Sequence, residues 1–133
     1  MASILVIEDD AELCVAVAEA LKRDGHQVAT ARNGALGLRA FVADPFELVL
    51  VDMVMPEMEG GSTIRALLRD FPGLGIIAMS GSFNYAERWL RLAQHFGACR
   101  TLKKPFRLEV LLDTVREVLA ARPDPLAEPA TVR

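Results

Sequence analysis

Three short runs in this chain, two of them wholly apolar, each end in charges that a buried strand would not otherwise choose. Ile4-Leu5-Val6-Ile7 leads into Glu8-Asp9-Asp10, Leu48-Val49-Leu50-Val51 into Asp52, and the stretch from Cys99 to Lys103 into Lys104-Pro105. Continuous apolar runs of this length read as strands buried on both faces of a parallel sheet. In open sheets of that kind, ligands bind just outside the carboxyl ends of the strands. If the runs are neighbours, at least three carboxylates and one ammonium converge on one spot.

Hydrophobic periodicity alternates strand and helix along the rest of the chain. Ser3 to Glu8 reads as a strand, after which Asp10 caps a helix with Leu13, Val17, Ala20 and Leu21 on its apolar face. Gly25 suits the position just past that helix. His26 to Ala31 is a shorter, more polar strand of the kind found at an edge. Asn33 caps a second helix that runs to about Ala43, with Leu36 and Ala40 one turn apart. Glu47 to Asp52 is the central strand, and Met53 to Gly61 reads as loop, punctuated by Pro56 and two glycines. Ser62 or Thr63 opens a third helix carrying Ile64, Leu67 and Leu68, which Pro72-Gly73 stops. Leu74 to Ser80 is the fourth strand, and an aromatic-rich helix runs from around Asn84 to Phe96, closed by Gly97. Arg100 to Lys103 is the fifth strand. The last helix, Leu108 to Ala121, puts Val110, Leu111, Thr114, Val115 and Val118 on one side. Five βα units in a row imply an α/β, doubly wound parallel sheet with right-handed crossovers and helices on both faces. The flavodoxin-like order 2-1-3-4-5 places strands one and three beside the switch point.

At 133 residues the chain has room for one domain with a full core. Residues 1–121 carry the periodicity, whereas 122–133 hold three prolines and none, which reads as a flexible tail. The balance of 52% hydrophobic to 25% charged residues excludes a disordered chain, and a net charge of −3 argues against a nucleic-acid binder. The apolar stretches are too short for a membrane span, and the start lacks the pattern of a signal peptide, so a cytoplasmic location is expected. Cys14 and Cys99 lack disulfide or metal-ligand spacing and read as small core residues. His26 and His95 sit away from the strand ends and read as surface or helix-end residues.

Glu8, Asp9 and Asp52 at one cleft repel one another, and each resists ionising unless a cation is shared. A hard divalent ion such as Mg²⁺, taking oxygen ligands at about 2.1 Å, suits such a set. Lys104 adds a compact positive charge, and Ser80 offers a hydroxyl from the end of the fourth strand. One carboxylate as nucleophile, a metal, an ammonium and a hydroxyl make up a phosphoryl-transfer site in miniature. Taken singly each residue has a plain explanation, and for Asp10 helix capping remains the better one. Their joint placement at successive strand ends is what capping and turn formation leave unexplained.

These residues, with Met53-Val54-Met55-Pro56-Glu57-Met58-Glu59-Gly60, Ile76 to Gly81, Gly97-Ala98 and Lys103-Lys104-Pro105-Phe106, resemble a response-regulator receiver domain of two-component signalling. The resemblance covers about residues 3 to 121 and is closest to single-domain, chemotaxis-regulator-like members. It implies that Asp52 is the phosphoacceptor, with Ser80 as switch hydroxyl and Lys104 as phosphate-binding lysine. It also implies that Glu8, Asp9, Asp52 and the Val54 carbonyl hold Mg²⁺ or Mn²⁺. The expected donor is a histidine kinase or a histidine phosphotransfer protein. The expected output is a downstream protein bound through the face of the fourth helix, fifth strand and fifth helix, with the chain a monomer or weak homodimer. Such a module is a phosphoacceptor with slow autodephosphorylation, not an enzyme.

Two features depart from the family pattern. Receivers commonly carry an aromatic residue three positions before the lysine, where this chain has Thr101. The stretch from Ser80 to Gly97 is longer than usual and holds Phe83, Tyr85, Trp89 and Phe96; Phe96 suits a core, and Trp89 suits either a core or a partner surface. A haloacid-dehalogenase-like phosphatase would need a second acid at Val54. A flavodoxin-type carrier would not place the acidic Glu8 to Glu12 loop against a phosphate. The rival that stays open is a receiver-like scaffold whose partner binding does not depend on phosphorylation.

Overall fold

The computed structural model describes residues 2–53, 59–81 and 86–121. Five strands alternate with five helices: β1 (Ser3–Ile7), α1 (Ala11–Arg23), β2 (Gln27–Ala31), α2 (Gly34–Ala43), β3 (Leu48–Asp52), α3 (Glu59–Asp70), β4 (Gly75–Ser80), α4 (Ala86–Phe96), β5 (Arg100–Lys103) and α5 (Leu108–Ala121). All strand pairings are parallel, and the order is β2-β1-β3-β4-β5, as the alternating pattern requires. The most apolar strands, β1, β3 and β4, lie in the middle, and the polar β2 and β5 take the edges.

Strand side chains alternate between two cores because successive residues point to opposite faces. Leu5, Ile7, Val49, Val51, Ile76 and Ala78 face α2, α3 and α4, where they meet Phe41, Ile64, Leu67 and Ala93. Ile4, Val6, Leu48, Leu50, Ile77 and Met79 face α1 and α5, packing on Val17, Leu21, Leu111, Val115 and Val118. Each fully buried Leu, Ile or Phe contributes about 1.5–3 kcal/mol relative to exposure, so both faces of the sheet are strongly held.

The helix ends follow local chemistry. The Asp10 carboxylate accepts from the Glu12 and Leu13 amides at 3.1 and 3.2 Å, and Asn33 Oδ1 accepts from the Leu36 amide at 2.8 Å. Gly25 and Gly97 stop α1 and α4 with positive φ angles of 94° and 115°. One boundary differs from the sequence reading, since α3 begins at Glu59 rather than Ser62 or Thr63. The glycines that signal a loop by propensity serve here as spacers. A Cβ at Gly60 would sit 2.5 Å from the Asp52 carbonyl oxygen, so only glycine lets the first turn of α3 press against the end of β3.

Other corrections concern burial. Cys99 is exposed and Cys14 half-buried, because Cys99 precedes an edge strand and Cys14 lies on the flank of α1. Val110 is 46% exposed; it sits in the first turn of α5, before that helix settles onto the sheet at Leu111. The His26 side chain is only 8% exposed, held at Nδ1 by the Ala2 amide at 3.1 Å, although it does follow the end of α1. Trp89 and Phe96 are partly buried and pack on the core beneath α2–α4. Val54, Phe83, Tyr85 and the tail 122–133 lie outside the described residues.

Candidate functional site

Register builds the site before any side chain is considered. Ile7 pairs with Val51, so the next residues, Glu8 and Asp52, stand level at the carboxyl ends of β1 and β3. Asp52 pairs with Met79, which puts Ser80 one residue further out, and Ser80 pairs with Lys103, which puts Lys104 next along. Backbone hydrogen bonds continue the ladder past the strands: Glu8 N–H to Ala31 O (2.9 Å), Met53 N–H to Met79 O (2.8 Å) and Lys104 N–H to Ser80 O (2.8 Å). The functional side chains therefore hang from paired backbone, which fixes their positions.

Carboxylate oxygens of Glu8, Asp9 and Asp52 lie within 4.8 Å of one another. Glu8 and Asp52 are 1% and 3% exposed, whereas Asp9 is open to solvent. Lys104 bridges the buried pair. Its Nζ donates to Glu8 Oε1 at 2.6 Å and stands 3.6 Å from Asp52 Oδ2. The second Glu8 oxygen, Oε2, accepts from the Asp10 backbone N–H at 3.1 Å. Among the described residues, the fully buried Ser80 Oγ has no hydrogen-bond partner, an arrangement expected where a hydroxyl waits for a ligand oxygen. The hard oxygen donors and their excess negative charge suit a divalent cation.

The site also reaches into α1. Burial pushes the Cys14 thiol above its ordinary range, the nearby Glu8 charge adds to this, and a hydrogen bond with Thr30 offsets part of it. The thiol form of Cys14 is therefore favoured over the thiolate. Glu8, Asp9, Asp52, Ser80 and Lys104 are thus all brought together. The spacing role of Gly60 and the amide contribution of Asp10 escaped the sequence reading; the Gly60-Gly61 pair was the available signal for the first, and nothing in the sequence signalled the second. Thr101 is half-buried on β5, opposite Ala78.

A doubly wound sheet of this order, with acids, hydroxyl and ammonium gathered at its carboxyl edge, defines a flavodoxin-like switch-point domain. The chain belongs to the response regulator receiver domain family, whose family model matches residues 4–116. It is 32% identical to the response regulator receiver protein CpdR of Brucella abortus, over 91% of this chain and 99% of that protein. It is 34% identical to the DNA-binding transcriptional regulator NtrC of Azospirillum brasilense, over 97% of this chain but only 26% of that protein. The receiver domain of NtrX from Brucella abortus has the same fold, with a TM-score of 0.83 at 25% identity, covering 89% of this chain and 98% of that one. Receiver domains are the phosphoacceptor signalling modules of two-component systems, not turnover enzymes. Among the described residues no helix is long and apolar enough to cross a membrane.

Proposed function

We propose that this chain accepts a phosphoryl group from a phosphohistidine onto Asp52 and signals through its own surface. The observation that carries this reading is the buried Asp52 carboxylate, set within reach of the Glu8 and Asp9 oxygens and 3.6 Å from the Lys104 ammonium. An Asp52 carboxylate oxygen attacks phosphorus, the new P–O bond forms, and the P–N bond to the donor imidazole breaks with its electron pair returning to nitrogen. Lys104 and the Ser80 hydroxyl grip the equatorial oxygens. Glu8, Asp9, Asp52 and the Val54 carbonyl would hold Mg²⁺ or Mn²⁺, which supplies neutralising charge to the transferred group.

Residues 1–121 constitute the receiver unit in this reading, with 122–133 as a tail outside it. The donor is a histidine kinase or histidine phosphotransfer protein, and the location is cytoplasmic. Output leaves through the face formed by α4, β5 and α5. The second reading is a phosphorylation-independent scaffold, favoured by Thr101 in place of a ring and by the longer stretch between Ser80 and Gly97. Incubation with a small acyl-phosphate donor and Mg²⁺, followed by intact-mass measurement, separates the two. Wild type should gain one phosphoryl mass that hydroxylamine removes, and Asp52→Asn or a chelator should abolish it. Full incorporation in Asp52→Asn would overturn the assignment, and no incorporation in wild type would favour the scaffold.

A further inference from the structure

Glu8 and Lys104 reach each other from opposite ends of the site. Glu8 follows β1 and Lys104 follows the edge strand β5, so three interstrand intervals separate them, about 14 Å at about 4.8 Å each. The Lys104 Nζ nonetheless donates to Glu8 Oε1 at 2.6 Å, and its side chain is only 18% exposed. Lys103, one residue earlier, turns outward instead and pairs with Glu87 from an exposed position. The Lys104 stem therefore has to cross the end of β4, where the chain passes from Ser80 to Gly81. It crosses against Gly81: a Cβ there would lie 3.0 Å from Lys104 Cβ, 3.5 Å from Cγ and 3.0 Å from Cδ. Carbon atoms rest about 3.5–4.0 Å apart, so a methyl group at this position would press on the stem. Backbone conformation does not call for glycine here, since the described glycines with positive φ are Gly25 and Gly97.

We propose that Gly81 is a positioning residue for phosphoryl transfer, because the space left by its missing side chain carries the Lys104 stem over β4 and aims the ammonium at Glu8 and Asp52. This rests on the phosphoacceptor reading above, in which that ammonium grips an oxygen of the group on Asp52. The start of the stem is fixed by the ladder, where the Lys104 N–H donates to Ser80 O at 2.8 Å. Its far end is a point charge on a flexible chain of four carbons, so the path between the two decides where the charge stands. A side chain at position 81 lifts the middle of that path, and the lift is carried to Nζ. Alanine asks the stem to yield slightly, whereas a β-branched residue closes the route.

The test compares Gly81→Ala and Gly81→Val in the wild-type chain and in Lys104→Ala, where no stem remains to displace. With a small acyl-phosphate donor and Mg²⁺, Gly81→Val should slow phosphoryl uptake about tenfold, within the loss of about a hundredfold that a 1 Å misplacement can cause. Gly81→Ala should slow it less. In Lys104→Ala the same substitutions should leave the residual rate within about twofold, because their effect acts through the absent stem. Urea denaturation without metal should show the same coupling, with Gly81→Val lowering the midpoint more in wild type than in Lys104→Ala. Equal slowing in both backgrounds would overturn the proposal, since residue 81 would then obstruct the donor or stiffen the backbone. An unaffected rate in Gly81→Val would overturn it too. A wild-type chain that takes up no phosphoryl group would refute the phosphoacceptor reading instead, and the denaturation comparison would still decide whether Gly81 places Lys104.

Discussion

Lys104→Met keeps the side-chain length at the centre of the site and deletes the ammonium that pairs with Glu8 and Asp52. The ammonium sits 2.6 Å from Glu8 and 3.6 Å from Asp52. At an effective dielectric of about 20, those contacts are worth about 6 and about 5 kcal/mol of gross Coulomb attraction. Desolvation of the ammonium, 18% exposed, cancels much of this. The net loss is better set by what breaking a buried ion pair costs, about 3–5 kcal/mol, and the partial exposure places it near 3. For a domain of this size, that lowers the melting temperature by about 10 °C. The loss should be partly restored by Mg²⁺, because a cation that binds only the folded state stabilises it by about 2.7 kcal/mol at a hundredfold excess over Kd. Removing the competing ammonium should make this Mg²⁺ effect larger in Lys104→Met than in wild type. Urea denaturation with and without Mg²⁺ measures both quantities. Adding Glu8→Gln to Lys104→Met should recover stability without metal, since it removes the stranded charge. An unchanged denaturation midpoint in Lys104→Met, or a double variant no more stable than the single one, would refute the electrostatic reasoning.

Asp9→Ala should weaken Mg²⁺ binding more than Glu8→Ala, because both Glu8 oxygens are already engaged, by Lys104 and by the Asp10 amide, while Asp9 faces solvent. Titration followed by NMR ranks the two, and the reverse order would contradict it. Arg116 holds Asp24 in a two-pronged pair at 2.6 and 3.1 Å, and this hydrogen bonding, partly offset by burial, draws the Asp24 carboxyl below its ordinary range. A depressed carboxyl pKa adds stability that is present above the unfolded value of about 3.9 and lost as pH falls through the folded value. The stability gap between wild type and Arg116→Ala should therefore close on acidification below about pH 4; a gap independent of pH would assign the loss to packing.

The strands and their order were legible because apolar runs ending in charge admit few arrangements, and parallel register then puts Glu8 level with Asp52 without further information. The helix caps at Asp10 and Asn33 were equally plain, being local chemistry. The start of α3 was not, because Gly60 reads as a breaker until the Asp52 carbonyl is seen pressing against it. Nor was the division of labour among the acids. Residue type alone makes Glu8, Asp9 and Asp52 equivalent, and only tertiary placement makes two of them buried and one exposed. Cys99 and Val110 failed for a related reason, since composition says what a side chain prefers and not which side of an edge strand or first helical turn it occupies.

Asp10 stands at a junction whose consequence is one of mutational tolerance. Its carboxylate holds the first turn of α1 while its amide holds Glu8 in the orientation that receives Lys104. Asparagine would keep both duties, whereas proline would end the second outright by removing the amide hydrogen. A saturation survey of this domain should find position 10 tolerant of asparagine, serine and threonine, and least tolerant of proline.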